Sequence, residues 1–505
     1  MPIQSAPGDW RGEPVRRQAK QTKEETLTTT DIDLAYAPAW KLRDLIASRK
    51  LSPTELTAFA LRRAEALNPR LSAFLTITGD MALEQAKDAE KAVMRGARLG
   101  PLHGIPISIK DLEAVKGVRL TSGSLLHSED TADGDALCVE RIKAAGAIII
   151  GKTNTPEYGA AGTTENLLGE PCRNPWDLQR TPGGSSGGAA ASVVAGVTAI
   201  AQGSDGGGSV RIPASFSGIY GIKPTQGRAP RRRAGVYSYF PLNNSSVGPM
   251  SRDVRDSAVL LNVMSGPHPE AEAGTISSQP PDFTLALGRG VKGLRIAWSK
   301  DMGGAPVDPE VVEVCSKAAA VFQELGAHVE QVEYRPDDPH AVFENFVTFS
   351  AAKTYATHPD ALVHRGRLTD YFTAALERGR AVTGEQFFNA VSHIGRYKAY
   401  TAEFFSKHDL LLTPTLAVAA FPVGHPPEFI GGKKVFSTRL GFYPFTYPFN
   451  VTGNPAASIP CGFTEQGLPV GLQVVGKCED ETTVIAASAA FERVRPWAGR
   501  RPPID

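Results

Sequence analysis

The chain has 505 residues, 42% hydrophobic and 21% charged, a composition that suits a globular protein with a large core. Lysine plus arginine nearly balance aspartate plus glutamate, leaving a net charge of +1. That balance removes any electrostatic case for nucleic acid or an acidic membrane surface as a partner, and no apolar run reaches the ~18 residues of a membrane span.

Residues 1–33 read as a flexible arm. They are polar, with a short basic run at 16–20 and three consecutive threonines, and they lack the apolar stretch of a secretory signal. From residue 34 onward helix and strand signals alternate. Ser52-Pro53-Thr54-Glu55 is a capping box with proline at the first helical position. Leu56, Phe59 and Ala60 give that helix an apolar face, and Asn68-Pro69 is expected to stop it. A strand is expected over 71–78 and a helix over 81–94. In 104–111, GIPISIKD, Ile105, Ile107 and Ile109 alternate with smaller or polar residues, as in a short strand, and Lys110 falls at its end. A lysine there is either a solvated surface charge or a buried amine whose lowered pKa lets it take a proton. A helix over 135–145, capped by Gly146, and a buried strand over 147–150 come next. Residues 146–153 fit the letters G-x-x-x-x-G-K-T, but Ala147, Ile148, Ile149 and Ile150 form a strand and Asn154-Thr155-Pro156 follows. A phosphate-cradling turn ahead of a helix is therefore excluded.

The stretch 180–224 is the most informative. Ser185 and Ser186 stand between Gly183-Gly184 and Gly187-Gly188, and Ser209 follows Gly206, Gly207 and Gly208. Glycines free backbone N–H groups to point at a ligand, and a hydroxyl beside them has the makings of a nucleophile in an oxyanion hole. A Gly/Ser linker would stay polar throughout, whereas 189–195 and 210–216 are apolar. Gly184–Gly188 also fits G-x-S-x-G with Ser186 as nucleophile. No strand leads into it, however, and no histidine stands in a distinctive setting for a triad.

Beyond 265 a strand is expected over 293–298 and helices over 309–325, 343–355 and 386–405. Residues 441–453 carry Phe442, Tyr443, Phe445, Tyr447 and Phe449, either a pocket wall or core. The five cysteines at 138, 172, 315, 461 and 478 are odd in number and widely spaced, as in a cytoplasmic protein with reduced thiols. No His/Cys cluster has zinc spacing, so no metal is expected. The alternation predicts an α/β fold with an open mixed sheet covered on both faces.

Taken together these motifs resemble the amidase signature family. The resemblance is carried by GIPISIKD around Lys110, by GGSSGG around Ser185, and by GSDGGGSVRIPAS around Ser209 at the family's spacing. Residues 151–166, 174–184, 448–462 and 467–476 add to it. It runs from about residue 35 to the end and is strongest over 100–230. Length alone would allow two or three domains; the resemblance implies one large α/β domain over 34–505. Its core would be 100–230, and the variable segment at about 265–410 would either shape a substrate funnel or form ordinary outer helices.

The resemblance further implies that Ser209 attacks an amide-like carbonyl while Ser185 relays a proton to Lys110. The N–H groups around Gly206, Gly207, Gly208 and Ser209 would hold the oxyanion, and the Gly184–Ser185 peptide would be cis. Gly184 and Ser186 would shape the site. Asp205 and Arg211 would brace the loop, the alternative being a surface ion pair. Gly183, Ile212, Tyr158, Phe445 and Phe449 are candidates for the substrate pocket. No metal or organic cofactor is implied. The expected partner is a small amide or carbamate, with no nucleic acid or membrane, for a monomer or homodimer. The tRNA-dependent amidotransferase member of the family usually has threonine at Gly206 and glutamine at Ile212. These departures favour a stand-alone amide or carbamate hydrolase acting on aryl, alkyl or polymer-derived substrates over the glutaminase subunit of such an amidotransferase. An inactive scaffold is disfavoured because Lys110, Ser185 and Ser209 are all present.

Overall fold

The computed structural model describes residues 34–232, 239 and 243–504. The arm expected over 1–33, with its basic run, lies outside them. In chain order the helices are α1 Ala39–Ala47, α2 Pro53–Leu71, α3 Gly79–Met94, α4 Leu137–Ala144, α5 Gly187–Val194, α6 Arg211–Ser217 and α7 Val254–Met264. They continue as α8 Pro309–Glu324, α9 Pro339–Thr357, α10 Asp370–Ala381, α11 Gly384–Lys407, α12 Pro448–Thr452 and α13 Glu481–Val494. The strands are β1 Phe74–Ile77, β2 Pro106–Lys110, β3 Ile148–Thr153, β4 Ile200–Asp205, β5 Tyr220–Lys223 and β6 Ser246–Ser251. They continue as β7 Arg295–Trp298, β8 His328–Gln331, β9 Leu410–Pro414, β10 Ala456–Phe463 and β11 Pro469–Gly476.

These 11 strands form one mixed sheet in the order β1-β3-β2-β4-β6-β5-β10-β11-β9-β7-β8. β2 runs parallel to both β3 and β4, while β6, β5, β10, β11 and β9 pair antiparallel in the middle. Alternating residues pack against opposite layers, as the pleat requires. Leu410 and Leu412 of β9 pack with α8 and α13, whereas Leu411 packs with α9 and α11. Ile107 and Ile109 of β2 pack with α1 and α4. Ser108 and Lys110 therefore face the other layer, where α5 lies, and Ser108 Oγ is 3.1 Å from Ser192 Oγ of that helix. The predicted single α/β domain, a mixed sheet with helices on both faces, is the fold observed.

The capping box forms as expected: Ser52 Oγ accepts from the N–H groups of Thr54 and Glu55, and the Glu55 carboxylate accepts from Ser52 N–H. The helix runs past Pro69 to Leu71. Proline stands in the last turn, and Asn68 closes the end instead. Its carbonyl accepts from Ser72 N–H at 2.8 Å, and its side-chain amide bonds the Phe74 backbone twice. The strand expected over 71–78 is shortened accordingly. Among the described residues no helix is long and apolar enough to cross a membrane.

Candidate active site

Lys110 ends β2 with its side chain fully buried. Its Nζ lies 2.6 Å from Ser185 Oγ, 2.9 Å from Ser186 Oγ and 3.3 Å from the Ser204 carbonyl oxygen. Burial, followed by the charge of Arg231, lowers its pKa from 10.5 to about 7. A neutral amine has two N–H donors and one lone pair, and the three neighbours match that inventory. The Ser204 carbonyl can only accept. Ser186 Oγ lies 3.2 Å from the same carbonyl oxygen and donates to it, so it accepts from Lys110. The lone pair is left for the hydroxyl of Ser185.

Ser185 and Ser186 directly precede α5, and the Gly184–Ser185 peptide is cis. A Cβ on Gly184 would stand 2.3 Å from the Thr163 carbonyl oxygen, so only glycine fits there. The second serine cluster leaves β4 and enters α6. The two are stitched together where Ser186 N–H donates to the Ser209 carbonyl at 3.2 Å.

Asp205 and Arg211 are both fully buried, which rules out a surface pair. Arg211 Nε and Nη2 each donate to the carboxylate at 2.9 Å. The remaining Arg211 donors reach the Thr446 carbonyl, Gln473 Oε1 and Asn450 Oδ1. Burial alone would push the Asp205 pKa up. The Arg211 charge and the hydrogen bonds from Arg211 and Asn450 overcome it and hold the carboxyl well below its usual range. Asp205 also accepts from the N–H groups of Gly208 at 2.7 Å and Val210 at 3.2 Å. The Gly208 N–H is thus committed to the loop, unlike the expectation that all four groups face the substrate. Those of Gly206, Gly207 and Ser209 donate to nothing among the described residues. Gly208 has φ +132°, and a Cβ there would stand 2.3 Å from Thr446 Oγ1.

Ser185, Ser209, Gly206 and Gly207 line a cavity of about 600 Å³. Ile212 and Tyr158 line it as well. Phe445 and Phe449 do not: both are fully buried in the core. Gly183 is also behind the wall, its Cβ position filled by Ile212 Cγ2 at 2.9 Å. From the same aromatic segment Tyr443 reaches the cavity instead. The variable segment divides. β7, α8 and β8 extend the sheet, whereas α9 and α10 wall the cavity with Phe346 and Phe372. Tyr158 stacks on Phe372 with centroids 4.6 Å apart and lies 4.2 Å from the ring of His358.

Sequence reasoning missed polar residues of the lining, among them Glu113, Arg231, Asn244 and Lys353. Arg231 pairs with Glu113 at 3.1 Å and donates to Ser245 Oγ at 2.9 Å. Lys353 Nζ donates to Asn243 Oδ1 at 2.9 Å and Asn244 Oδ1 at 3.3 Å. Only Glu113 carried a signal, standing just after the Lys110 strand. Among the described residues no group of three or more His, Cys, Asp or Glu side chains could hold a metal ion.

Comparison with known proteins matches residues 55–485 to the family model described as Amidase. The chain is 37% identical to an acylamidase of Rhodococcus erythropolis over 477 residues, covering 94% of this chain and 98% of that protein. It is 36% identical to one subunit of the glutamyl-tRNA(Gln) amidotransferase of Moorella thermoacetica, covering 93% of this chain and 99% of that one. A bacterial aryl acylamidase of the amidase signature family superposes with a TM-score of 0.85 at 32% identity, over 92% of this chain and 99% of that one. A 6-aminohexanoate cyclic dimer hydrolase in complex with substrate superposes with a TM-score of 0.81 at 29% identity, over 93% and 99%.

Proposed function

The chain belongs to the amidase signature family and is an amide hydrolase, and from that premise we propose that Ser209, Ser185 and Lys110 act together as nucleophile, relay and base. The observation that carries this reading is the buried Lys110 amine, with a pKa of about 7, lying 2.6 Å from Ser185 Oγ. Ser209 Oγ attacks the amide carbonyl as its proton passes to Ser185 and the Ser185 proton passes to Lys110. The carbonyl oxygen becomes an oxyanion facing the N–H groups of Gly206, Gly207 and Ser209. Ser185 then gives its proton to the leaving nitrogen and recovers one from Lys110. The C–N bond breaks and an acyl-Ser209 ester remains. Water, deprotonated through the same relay, hydrolyses it.

The substrate class is a small aryl, alkyl or polymer-derived amide or carbamate. The apolar side chains Ile212, Tyr158, Phe346 and Phe372 on the cavity lining support it. So do the acylamidase and the cyclic dimer hydrolase among the chain's relatives. The amidotransferase relatives bring the glutaminase reading with them. Against it, Ile212 puts an apolar side chain on the cavity wall. The stand-alone reading needs no partner chain, and an odd number of cysteines set far apart in the sequence supports a cytoplasmic setting.

Purified protein should hydrolyse a p-nitroanilide panel far faster than free glutamine, and Ser209→Ala should abolish turnover. A fluorophosphonate probe should add its phosphonyl group to Ser209, read by peptide mass spectrometry. An adduct on Ser186 would move the nucleophile to the G-x-S-x-G pattern and overturn the assignment. Glutamine preferred over every anilide would favour the glutaminase.

A further inference from the structure

In a trans peptide the C=O of one residue and the N–H of the next point in opposite directions, so whatever holds the oxygen also aims the N–H. Every carbonyl from Asp205 to Ser209 is held. Asp205 O accepts from Asn450 Nδ2 at 3.0 Å, Gly206 O from Asn244 Nδ2 at 3.0 Å, and Gly207 O from Thr446 Oγ1 at 2.7 Å. Gly208 O accepts from Ile212 N–H at 2.6 Å and Ser209 O from Ser186 N–H at 3.2 Å. The Thr446 bond fixes the peptide whose N–H is spent on Asp205. The Asn450 and Asn244 bonds fix the peptides whose N–H groups, those of Gly206 and Gly207, donate to nothing among the described residues.

We infer that Asn244 and Asn450 are positioning residues of the oxyanion site, aiming the Gly207 and Gly206 N–H groups at the carbonyl oxygen of the substrate. The inference rests on the reading of Ser209 as nucleophile. The two side chains form one relay of fixed amides. Asn450 Oδ1 accepts from Arg211 Nη2 at 2.7 Å, and its Nδ2 also donates to the backbone oxygen of Asn244 at 3.0 Å. Asn244 in turn presents Oδ1 to Lys353, a donor, and Nδ2 to Gly206 O and, at 3.4 Å, to Ser350 Oγ. Lys353 therefore sets which way the Asn244 amide faces. The α9 wall of the cavity, which carries Lys353 and Ser350, is thereby tied to the peptide that points at the reacting carbonyl.

The discriminating variant is Asn244→Asp. It keeps the size and the acceptor for Lys353 but removes the N–H that reaches Gly206 O. It is compared with Asn244→Ala and wild type in the full-length chain. The readouts are kcat and KM for an anilide, affinity for an alkyl boronic acid that mimics the tetrahedral oxyanion, affinity for an uncleaved substrate analogue, and Tm. Both variants should lose about 10- to 100-fold in kcat, less than the 10²–10³ that follows outright loss of a donor. Boronate affinity should fall in parallel while KM and analogue affinity stay within about twofold. Wild-type kcat and boronate affinity in Asn244→Asp would overturn the inference. So would boronate and analogue affinities that fall together. Should the Asn244 variants fail to fold, Lys353→Met carries the same test, and an unchanged ratio of boronate to analogue affinity there overturns it. Absence of probe addition at Ser209 in wild type would instead remove the functional reading itself.

Discussion

As the proposed base, Lys110 can act over only part of the pH range. Its pKa is lowered from 10.5 to about 7 by burial and by Arg231. Below that value the amine is protonated and cannot take the Ser185 proton; above it the amine is neutral. Amide turnover should therefore rise with pH through about 7 and level off above it. A rate that is flat from pH 5 to 9 would contradict the role. Lys223 is a control: it too is buried with a pKa lowered to about 7, but it lies in β5 and does not line the cavity. Lys223→Met should leave the midpoint where it is. Lys110→Arg keeps the charge but cannot shed a proton, so it should lose about 10³-fold in amide kcat, as much as Lys110→Ala. Activated esters, whose leaving group needs no proton, should lose less. Near-normal amide turnover in Lys110→Arg would leave the residue as a positive charge only. Lys110, Ser185 and Ser209 were legible in the sequence because each sits in a local pattern, an alternating strand end or a glycine cluster. Asn244 and Lys353 were not, since they meet the site only across wide separations: Asn244 holds Gly206 from 38 residues away, and Lys353 reaches Asn243 from 110 away.

The loop that carries Ser209, 206–210, joins β4 to α6, and one buried ion pair, Asp205 with Arg211, closes its two ends. Removing Arg211 strands the Asp205 carboxylate among backbone N–H groups in a water-free setting. Breaking such a pair costs about 3–5 kcal/mol. Arg211→Ala should lower the unfolding free energy by that order in urea titration, and Arg211→Lys should recover little of it. Lysine cannot match a planar fork that serves Asp205, Asn450, Gln473 and the Thr446 carbonyl at once. A loss under about 1 kcal/mol would mean the loop is held by its backbone bonds alone. Helix and strand positions were readable where periodicity was strong, as for β2 and the capped α2. The aromatic run 441–453 was not divisible by pattern. Phe445 and Phe449 went to the core and Tyr443 to the cavity, because in so short a segment the turn before α12 decides which ring points where.

At the scale of the molecule, the sheet and the loops that leave it carry Lys110, Ser185 and Ser209, and a separate pair of helices, α9 and α10, walls the cavity. The clamp between them is Glu157, next to Tyr158. Its buried carboxylate accepts from Ser124 Oγ at 2.6 Å and from the N–H and hydroxyl of Thr369, each at 2.7 Å, just ahead of α10. Glu157→Gln puts an NH₂ group against one of these donors. Losing a buried charged bond of this kind costs about 1–3 kcal/mol. Since Ser209, Ser185 and Lys110 are untouched, the loss should appear as a KM for anilides raised about 10-fold with kcat little changed. An unchanged KM would show that the α10 wall does not meet the substrate. The ties that hold the nucleophile loop have a different consequence, one for the order of synthesis. Lys110, Ser185 and Ser209 are all made in the first half of the chain, but the loop's braces, Thr446, Asn450 and Gln473, come near its end. On the proposed mechanism, a growing chain therefore holds all three reacting side chains long before the loop around Ser209 is braced, and hydrolytic competence arrives only with the last strands of the sheet.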